Sequence, residues 1–447
     1  MKINLSFEQI KQIFAVAKIF AADKVNCIFD ICTGVSGEMM SNKFSIPTGE
    51  DQSETSFTTP KPKDIPDGTY SVVSPAEKVY VFITDLVEIF TRLVAKGQDV
   101  VLDIQKEKIL VFTADKKVKY TLPKVSEENT KILIPNAYNS SDESSFDPVV
   151  GIVRTSADAL INSIRIASSF LLPDTPLDIR FRPAPEKTKE IDGNNVMVSN
   201  GILQICGTDG KGIGYCSQDI LLQVKDKIPV SGEEKTISEF TEEYFEQDFE
   251  NEGLHFMLSD KMAAKISKFA SAADSFIDFQ IGGKFLAISV NGLNTIYTTP
   301  LKKVVNNKTL AALYEAKAPE ICDGESSVLA RIAVTDLTDA ITDVLVFDKT
   351  NEVTGKKPVT IDISSKEIKI SKSGAENVIT PVEISEGVKD KFAYSPSMLR
   401  VAVSAFGTET VYLSFVKESG ASNPIFVVRP TKDSYEIGIM VVGIPVK

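Results

Sequence analysis

Three lysines, Lys261, Lys265 and Lys268, stand at i, i+4 and i+7, and Met262, Ile266 and Phe269 repeat that spacing one residue later. On a helix this spacing makes two neighbouring stripes, one cationic and one apolar. The apolar stripe must be buried, which leaves three ammonium groups along an exposed flank. A row of ammonium groups suits a polyanion, and phosphate contacts of this kind carry no base information. The theme recurs. Lys11 and Lys18 share a stripe in the first helical stretch, where Ile10, Phe14 and Ala17 are expected to face the core, and Lys24 follows in a loop. Arg92 with Lys96, then Arg165, then Arg400, stand on comparable stretches further along. A solvated lysine on a helix is ordinary at any one position, but recurrence in five stretches points to a shared role. A sixth stretch departs from the theme, with Asp336, Asp339 and Asp343 and no lysine in its body.

Other chemistries have less to stand on. The single histidine, His255, has no serine or cysteine nucleophile constellation around it and reads as structural. The glycine-rich run TDGKGIG, Thr208 to Gly214, lacks the GxxxxGK[ST] spacing of a phosphate loop. Cys27, Cys32, Cys206, Cys216 and Cys322 contain no CxxC pair, so a zinc site is not indicated and they read as reduced core thiols. No cofactor, metal or catalytic activity is expected. The formal net charge of -12 argues against a protein that holds nucleic acid by blanket attraction. Screening over about 8 Å at physiological salt still permits a local basic surface on an acidic protein.

The elements that position these residues form a repeat. Helices are predicted near Phe7 to Ala22, Thr84 to Lys96, Ser156 to Ser169, Ser259 to Ser271, Thr335 to Phe347 and Ser395 to Phe406, several opened by a capping Ser or Thr. Alternating strands lie between them, such as Val100 to Gln105, Lys108 to Thr113 and Val118 to Leu122. A helix followed by an antiparallel meander, six times over, is an α+β architecture of paired repeats. A length of 447 residues suggests about three domains. They are placed at 1–135, 149–305 and 325–447, with Asn136 to Pro148 and Asn306 to Gly324 as linkers. Two polar segments hold the excess length. Ser41 to Lys78, rich in Ser, Thr, Pro and Lys, reads as a mobile insertion, and the acidic stretch 231–253 as a solvated loop with a short helix.

TDGKGIG, between the strand GILQICG and YCSQDI, resembles the second-domain hairpin of bacterial DNA sliding clamps, the DNA polymerase III beta subunit family. TSADALINSIRIASSFL upstream and HFMLSDKMAAKISKFASAADSFIDFQIGGKFLAISV downstream are similar to that family's two helices of the second domain. MKINLSFEQIKQIFAVAKIF and FAYSPSMLRVAVSAFGTETVYLSFVKESGASNPIFVVRP match its beginning and end in order and spacing. The closing IPVK resembles the family's Met-Pro-Met-Arg-Leu tail without its last Leu.

The resemblance implies a clamp fold of three two-repeat domains, antiparallel sheets outside and helices inside, closing as a ring around duplex DNA. It implies a processivity factor whose partners are DNA, a DNA polymerase, a clamp loader and a second copy of the chain. The partner-peptide pocket would use Leu160, Thr208, Gly210, Lys211, Ile213, Pro300, Val305, Val442, Ile444, Pro445 and Val446. Ile and Val at the tail in place of Met make a stiffer surface. Six repeats per chain imply a homodimer, with Val118 of one chain against Val346 and Phe347 of the other. A cytoplasmic location is expected, because polar residues interrupt every apolar run of the amino terminus. The competing reading is a β-rich structural or virion protein with no DNA role.

Overall fold

The computed structural model describes all residues except 49–50, 64, 66–67, 69, 71–73, 128–148, 172–174, 192, 231–232, 246–248, 273–274, 284, 291–293, 300–309, 324–327, 347–357, 365, 373, 386–389, 417–424 and 443–447. Its helices are α1 (Phe7–Phe20), α2 (Ile83–Val94), α3 (Ala157–Ser168), α4 (Ile237–Phe245), α5 (Phe249–Glu252), α6 (Asp260–Ala270), α7 (Leu310–Asp323), α8 (Val334–Val346) and α9 (Pro396–Ser404). All six predicted helices are present. The chain divides into two compact units, one of Met1–Asp158, Ile220–Asn251 and Ala264–Pro300, the other of Ala159–Asp219, Glu252–Ala263 and Leu301–Lys447.

In the first unit a four-stranded antiparallel sheet runs in the order Lys2–Leu5, Val100–Ile104, Lys108–Thr113, Lys119–Pro123. A longer sheet starts at Glu77–Phe82 and continues through Asn26–Ser36, Met39–Pro47 and Asp51–Pro60 to Asn294–Thr298. It goes on through Leu286–Val290 and Phe276–Gly282 to Val149–Ser156. Helix α1 begins on a capping box, Ser6 receiving Gln9 N–H while the Gln9 side chain accepts from Ser6 N–H. It buries Ile10, Ile13, Val16, Ala17 and Phe20. Phe14, expected at the core, is only partly buried because the buried face is centred on Ile13 and Val16.

The supposed mobile insertion from Ser41 is largely sheet. Strands Met39–Pro47 and Asp51–Pro60 pair along nine positions, and their polar composition hides an alternation that buries Asn42, Phe44, Ile46, Ser53, Thr55, Phe57 and Thr59. Asn42 is tolerated at 2% exposure because it donates to Thr59 Oγ1 and accepts from Cys32 N–H.

The second unit is built on another antiparallel run. Strand Leu177–Ile191 pairs with both Leu254–Leu258 and Asn194–Thr208, and Gly212–Val224 pairs with Ile437–Val442, followed by Ile425–Arg429, Thr410–Val416 and Val328–Ala333. A further sheet has the order Ala375–Ile379, Ile368–Lys372, Val359–Ile363, Asp390–Tyr394. One apolar core joins Ile166 and Phe170 to residues of α8 (Leu337, Ile341, Val344) and α9 (Leu399, Ala402, Val403). The stretch 306–324, expected as a linker, contains the fourteen-residue helix α7, whose Ala311, Tyr314, Ala318, Ile321 and Cys322 are buried. Their spacing of three, four, three and one is that of a helix face, which the Asn, Lys, Pro and Gly around them obscured.

Candidate functional site

The Thr-Asp-Gly turn is closed by its own side chains. Thr208 Oγ1 donates to Gly212 O at 2.7 Å and accepts from Gly210 N–H, while Asp209 Oδ1 accepts from the N–H groups of Lys211 and Gly212 at 2.9 and 2.8 Å. Gly210 has φ +82°, a conformation that glycine adopts without strain. Beyond the turn, Gly212 and Gly214 let α3 and the residues after it lie directly on the strand. A Cβ at Gly212 would meet Phe170 at 2.4 Å, and one at Gly214 would meet Ile166 O at 2.5 Å.

The turn is stitched to the last strand. Gly212 pairs with Val441 and Ile213 with Met440, and Val442 N–H donates to Lys211 O at 2.9 Å. Thr208, Gly210, Lys211, Ile213 and Val442 are thus brought together at one end of this strand pair. Lys211 is exposed and Val442 is 39% exposed, whereas Ile213 is 6% exposed and Leu160 is 1% exposed. Pro300, Val305, Ile444, Pro445 and Val446 lie outside the described residues, as does Phe347; Val346 closes α8.

Ile213 is buried by a helix of its own chain. Alternation sends Gly212, Gly214 and Cys216 toward α3 and Ile213 and Tyr215 to the opposite face, where α7 covers them together with Cys206, Val427 and Met440. Tyr314 stacks on Tyr215 with ring centroids 4.4 Å apart and 17° between planes. Glu315 accepts from Tyr215 Oη at 2.9 Å and from Gln204. Burial and the neighbouring Glu315 carboxylate push the Tyr215 phenol well above its ordinary range. These α7 residues escaped the sequence reading, although LAALYEAKAPEIC carries an apolar helical period.

The basic residues fall into two kinds. Lys18, Lys24, Lys96, Lys261, Lys268 and Arg400 are exposed, Lys24 with φ 51° just after a short turn of helix at Ala21–Asp23. Lys11 is exposed beside Glu8 at 3.1 Å, and Arg92 beside Glu88 at 2.6 Å, pairs one turn apart on their helices. Arg165 donates to Asn162 Oδ1 and to Phe406 O, both at 3.2 Å, so it also satisfies a carbonyl just past the end of α9. Lys265 is different. Its ammonium lies 2.9 Å from Asp23, 3.4 Å from Asp51 and 4.6 Å from the Phe20 ring centroid, with the side chain 15% exposed. It is engaged inside the first unit, while Met262, Ile266 and Phe269 are buried as their stripe requires. Asp336, Asp339 and Asp343 make the exposed face of α8 acidic.

His255 Nε2 is 2.5 Å from Asp178 Oδ1 and both are 1% exposed, a buried structural pair on adjacent strands. All five cysteines are buried and none is in a disulfide, and burial pushes the Cys216 thiol up to about 12. Among the described residues no cluster of His, Cys, Asp and Glu could hold a metal ion, and no helix is long and apolar enough to cross a membrane.

No family model matches this sequence, and no curated protein matches it. Solved structures do. The DNA polymerase III subunit beta of Pseudomonas aeruginosa superposes with a TM-score of 0.64 at 14% identity over 100% of both chains. The chain has the sliding-clamp fold. The beta subunit of Thermotoga maritima gives 0.65 at 12% identity, again over 100% of both chains. A Helicobacter pylori beta clamp, solved with a DNA ligase peptide, gives 0.62 at 12% identity over 99% of this chain and 100% of its own. At 12–14% identity the likeness is one of fold, carried by the path of the chain and not by shared residues.

Proposed function

We propose that this protein is a DNA sliding clamp, a non-enzymatic processivity factor that encircles duplex DNA as a head-to-tail homodimer and tethers a DNA polymerase after a clamp loader has placed it. The observation that carries the reading is the match to clamp structures over the full length of the chain, in a protein whose helices α1, α2, α6 and α9 or their immediate flanks present exposed cations. Three domains of two repeats, with boundaries near 1–135, 149–305 and 325–447, are the organisation that accompanies it. Lys11, Lys18, Lys24, Arg92, Lys96, Arg165, Lys261, Lys268 and Arg400 would meet phosphates, and Lys265 would act mainly by holding α6 in place. A cytoplasmic, DNA-associated location follows from the role.

Strand edges would supply the ring closure. The first unit's four-stranded sheet ends on Lys119–Pro123, next to Val118, and the Ala375–Ile379 edge of the second unit's small sheet lies against α8, which Val346 closes. An open edge presents unpaired N–H and C=O groups to another strand. Partners would dock with short apolar segments at Thr208, Gly210, Lys211, Ile213 and Val442 together with Leu160, Pro300, Val305, Ile444, Pro445 and Val446. A low-resolution particle image tests the reading at once. A closed ring with a central hole supports it; a rod or a shell tile replaces it with a structural protein.

A further inference from the structure

We infer that α7 is an internal ligand of the partner site: it docks over the face that carries Ile213 and Met440, and a partner segment reaches those two side chains only when α7 leaves. This rests on the proposed partner pocket, and it adds a competitor that the chain itself supplies. Tyr314 is the anchor. Fully buried, it stacks on Tyr215, and its hydroxyl occupies the space over Gly438, where a Cβ would come within 1.8 Å of Tyr314 Oη. Ala311, Ala318, Ile321 and Cys322 complete the docked face.

The docking is imperfect, as a displaceable contact must be. Pro319 lies inside α7, where it removes one helical N–H and crowds the preceding turn. Among the described residues, Tyr314 Oη and the Nε and Nη1 of the 1%-exposed Arg429 meet no hydrogen-bond partner. Arg429 instead lies over the Tyr435 ring at 4.7 Å. Two of the docked residues are alanines, which bury little apolar area. Elements held by few apolar contacts and unmet polar groups come from the low-stability end of a fold. A tethered helix nevertheless acts at an effective concentration in the millimolar range, so a free peptide binds with an affinity reduced by the fraction of molecules in which the site is open.

The test uses the full chain and, as probe, a fluorescein-labelled synthetic peptide with the sequence Leu310–Asp323, read by anisotropy. Tyr314→Ala and Gly438→Ala should release α7, seen as faster amide exchange in residues 310–323. Ser414→Cys, placed beside the Cys322 thiol, should lock α7 when oxidised, with the disulfide verified by mass spectrometry. We expect Tyr314→Ala, in which the space over Gly438 is left open, to bind the peptide at least about tenfold more tightly than the unaltered chain, Gly438→Ala, whose added Cβ fills the space that the peptide's own tyrosine needs, to bind it no better than the unaltered chain, and the oxidised lock to bind none until it is reduced. Equal or undetectable binding across all four proteins overturns the inference. Polymerase stimulation measured on the same proteins separates the two readings. If peptide binding rises in Tyr314→Ala and is lost on locking while stimulation is unaffected by either, the internal ligand stands and the partner reading of this site falls.

Discussion

Lys265 separates a structural lysine from the lysines proposed to face DNA. Its ammonium is 2.9 Å from Asp23 and 3.4 Å from Asp51, which at an effective dielectric near 20 corresponds to gross attractions of roughly 6 and 5 kcal/mol before desolvation is subtracted. Exposed pairs are worth about 0–1 kcal/mol net, whereas removing one partner of a buried pair costs about 3–5 kcal/mol. The side chains of Lys265, Asp51 and Asp23 are 15%, 13% and 30% exposed, so the pair lies between these limits. Asp51 also keeps a hydrogen bond from Thr298 Oγ1 at 2.9 Å. Lys265→Ala should therefore destabilise the first unit by about 2–3 kcal/mol, part of it the lost contact with Phe20. That is a fall in melting temperature of roughly 4–12 °C for a unit of 150–250 residues. Because a chain with two units need not melt in one step, amide exchange followed by mass spectrometry is the better assay. Protection should fall in α1 and in strand Asp51–Pro60. Lys268→Ala, at an exposed position, should change stability by less than about 0.5 kcal/mol. If Lys265→Ala is as stable as Lys268→Ala, the assignment of Lys265 to an internal ion pair is refuted.

Three further outcomes are expected. Val346→Asp with Phe347→Asp should give monomers by sedimentation, and a double variant that stays dimeric would place the interface elsewhere. Deleting Ile444–Lys447 should abolish stimulation of the cognate polymerase and leave the dimer intact; undiminished stimulation would remove the tail from the partner site. Asp30 is 3% exposed, and burial raises its carboxyl above the usual range, with Lys78 and Lys43 opposing. A raised carboxyl contributes stability below the unfolded value of about 3.9 and loses it as pH rises through the folded value. Asp30→Asn should then gain stability over the unaltered chain as pH rises above about 4, and melts showing the opposite trend would contradict the burial argument.

The six helices of the repeat were legible because each carries an apolar period with few loop-forming residues inside it. The Thr-Asp-Gly turn was legible as well, since few residues other than glycine accept the φ of Gly210. What escaped notice did so for definable reasons. Asn42, Ser53, Thr55 and Thr59 are polar residues in buried strand positions, Asn42 and Thr59 hydrogen-bonded to each other across the strand pair, so composition marked a strand pair as a mobile segment. Helix α7 was hidden because loop-forming residues surround it and its docked face depends on Tyr215 and Met440 from remote strands. Spacing placed Lys261, Lys265 and Lys268 on one stripe, but only the tertiary structure brings Asp23 and Asp51 to the middle lysine.

The central claim is topological: a ring is held on DNA by its closure, and phosphate contacts only guide its sliding. The direct measurement loads the protein on nicked circular DNA with its cognate loader, raises the salt, and then linearises the circle with a nuclease. A protein held by six to ten ion pairs loses about 10³-fold or more in affinity between 50 and 200 mM salt. A clamp should remain on the circle at high salt and leave rapidly through the ends once the DNA is cut. Dissociation that follows salt alone, with no effect of linearisation, would contradict the account.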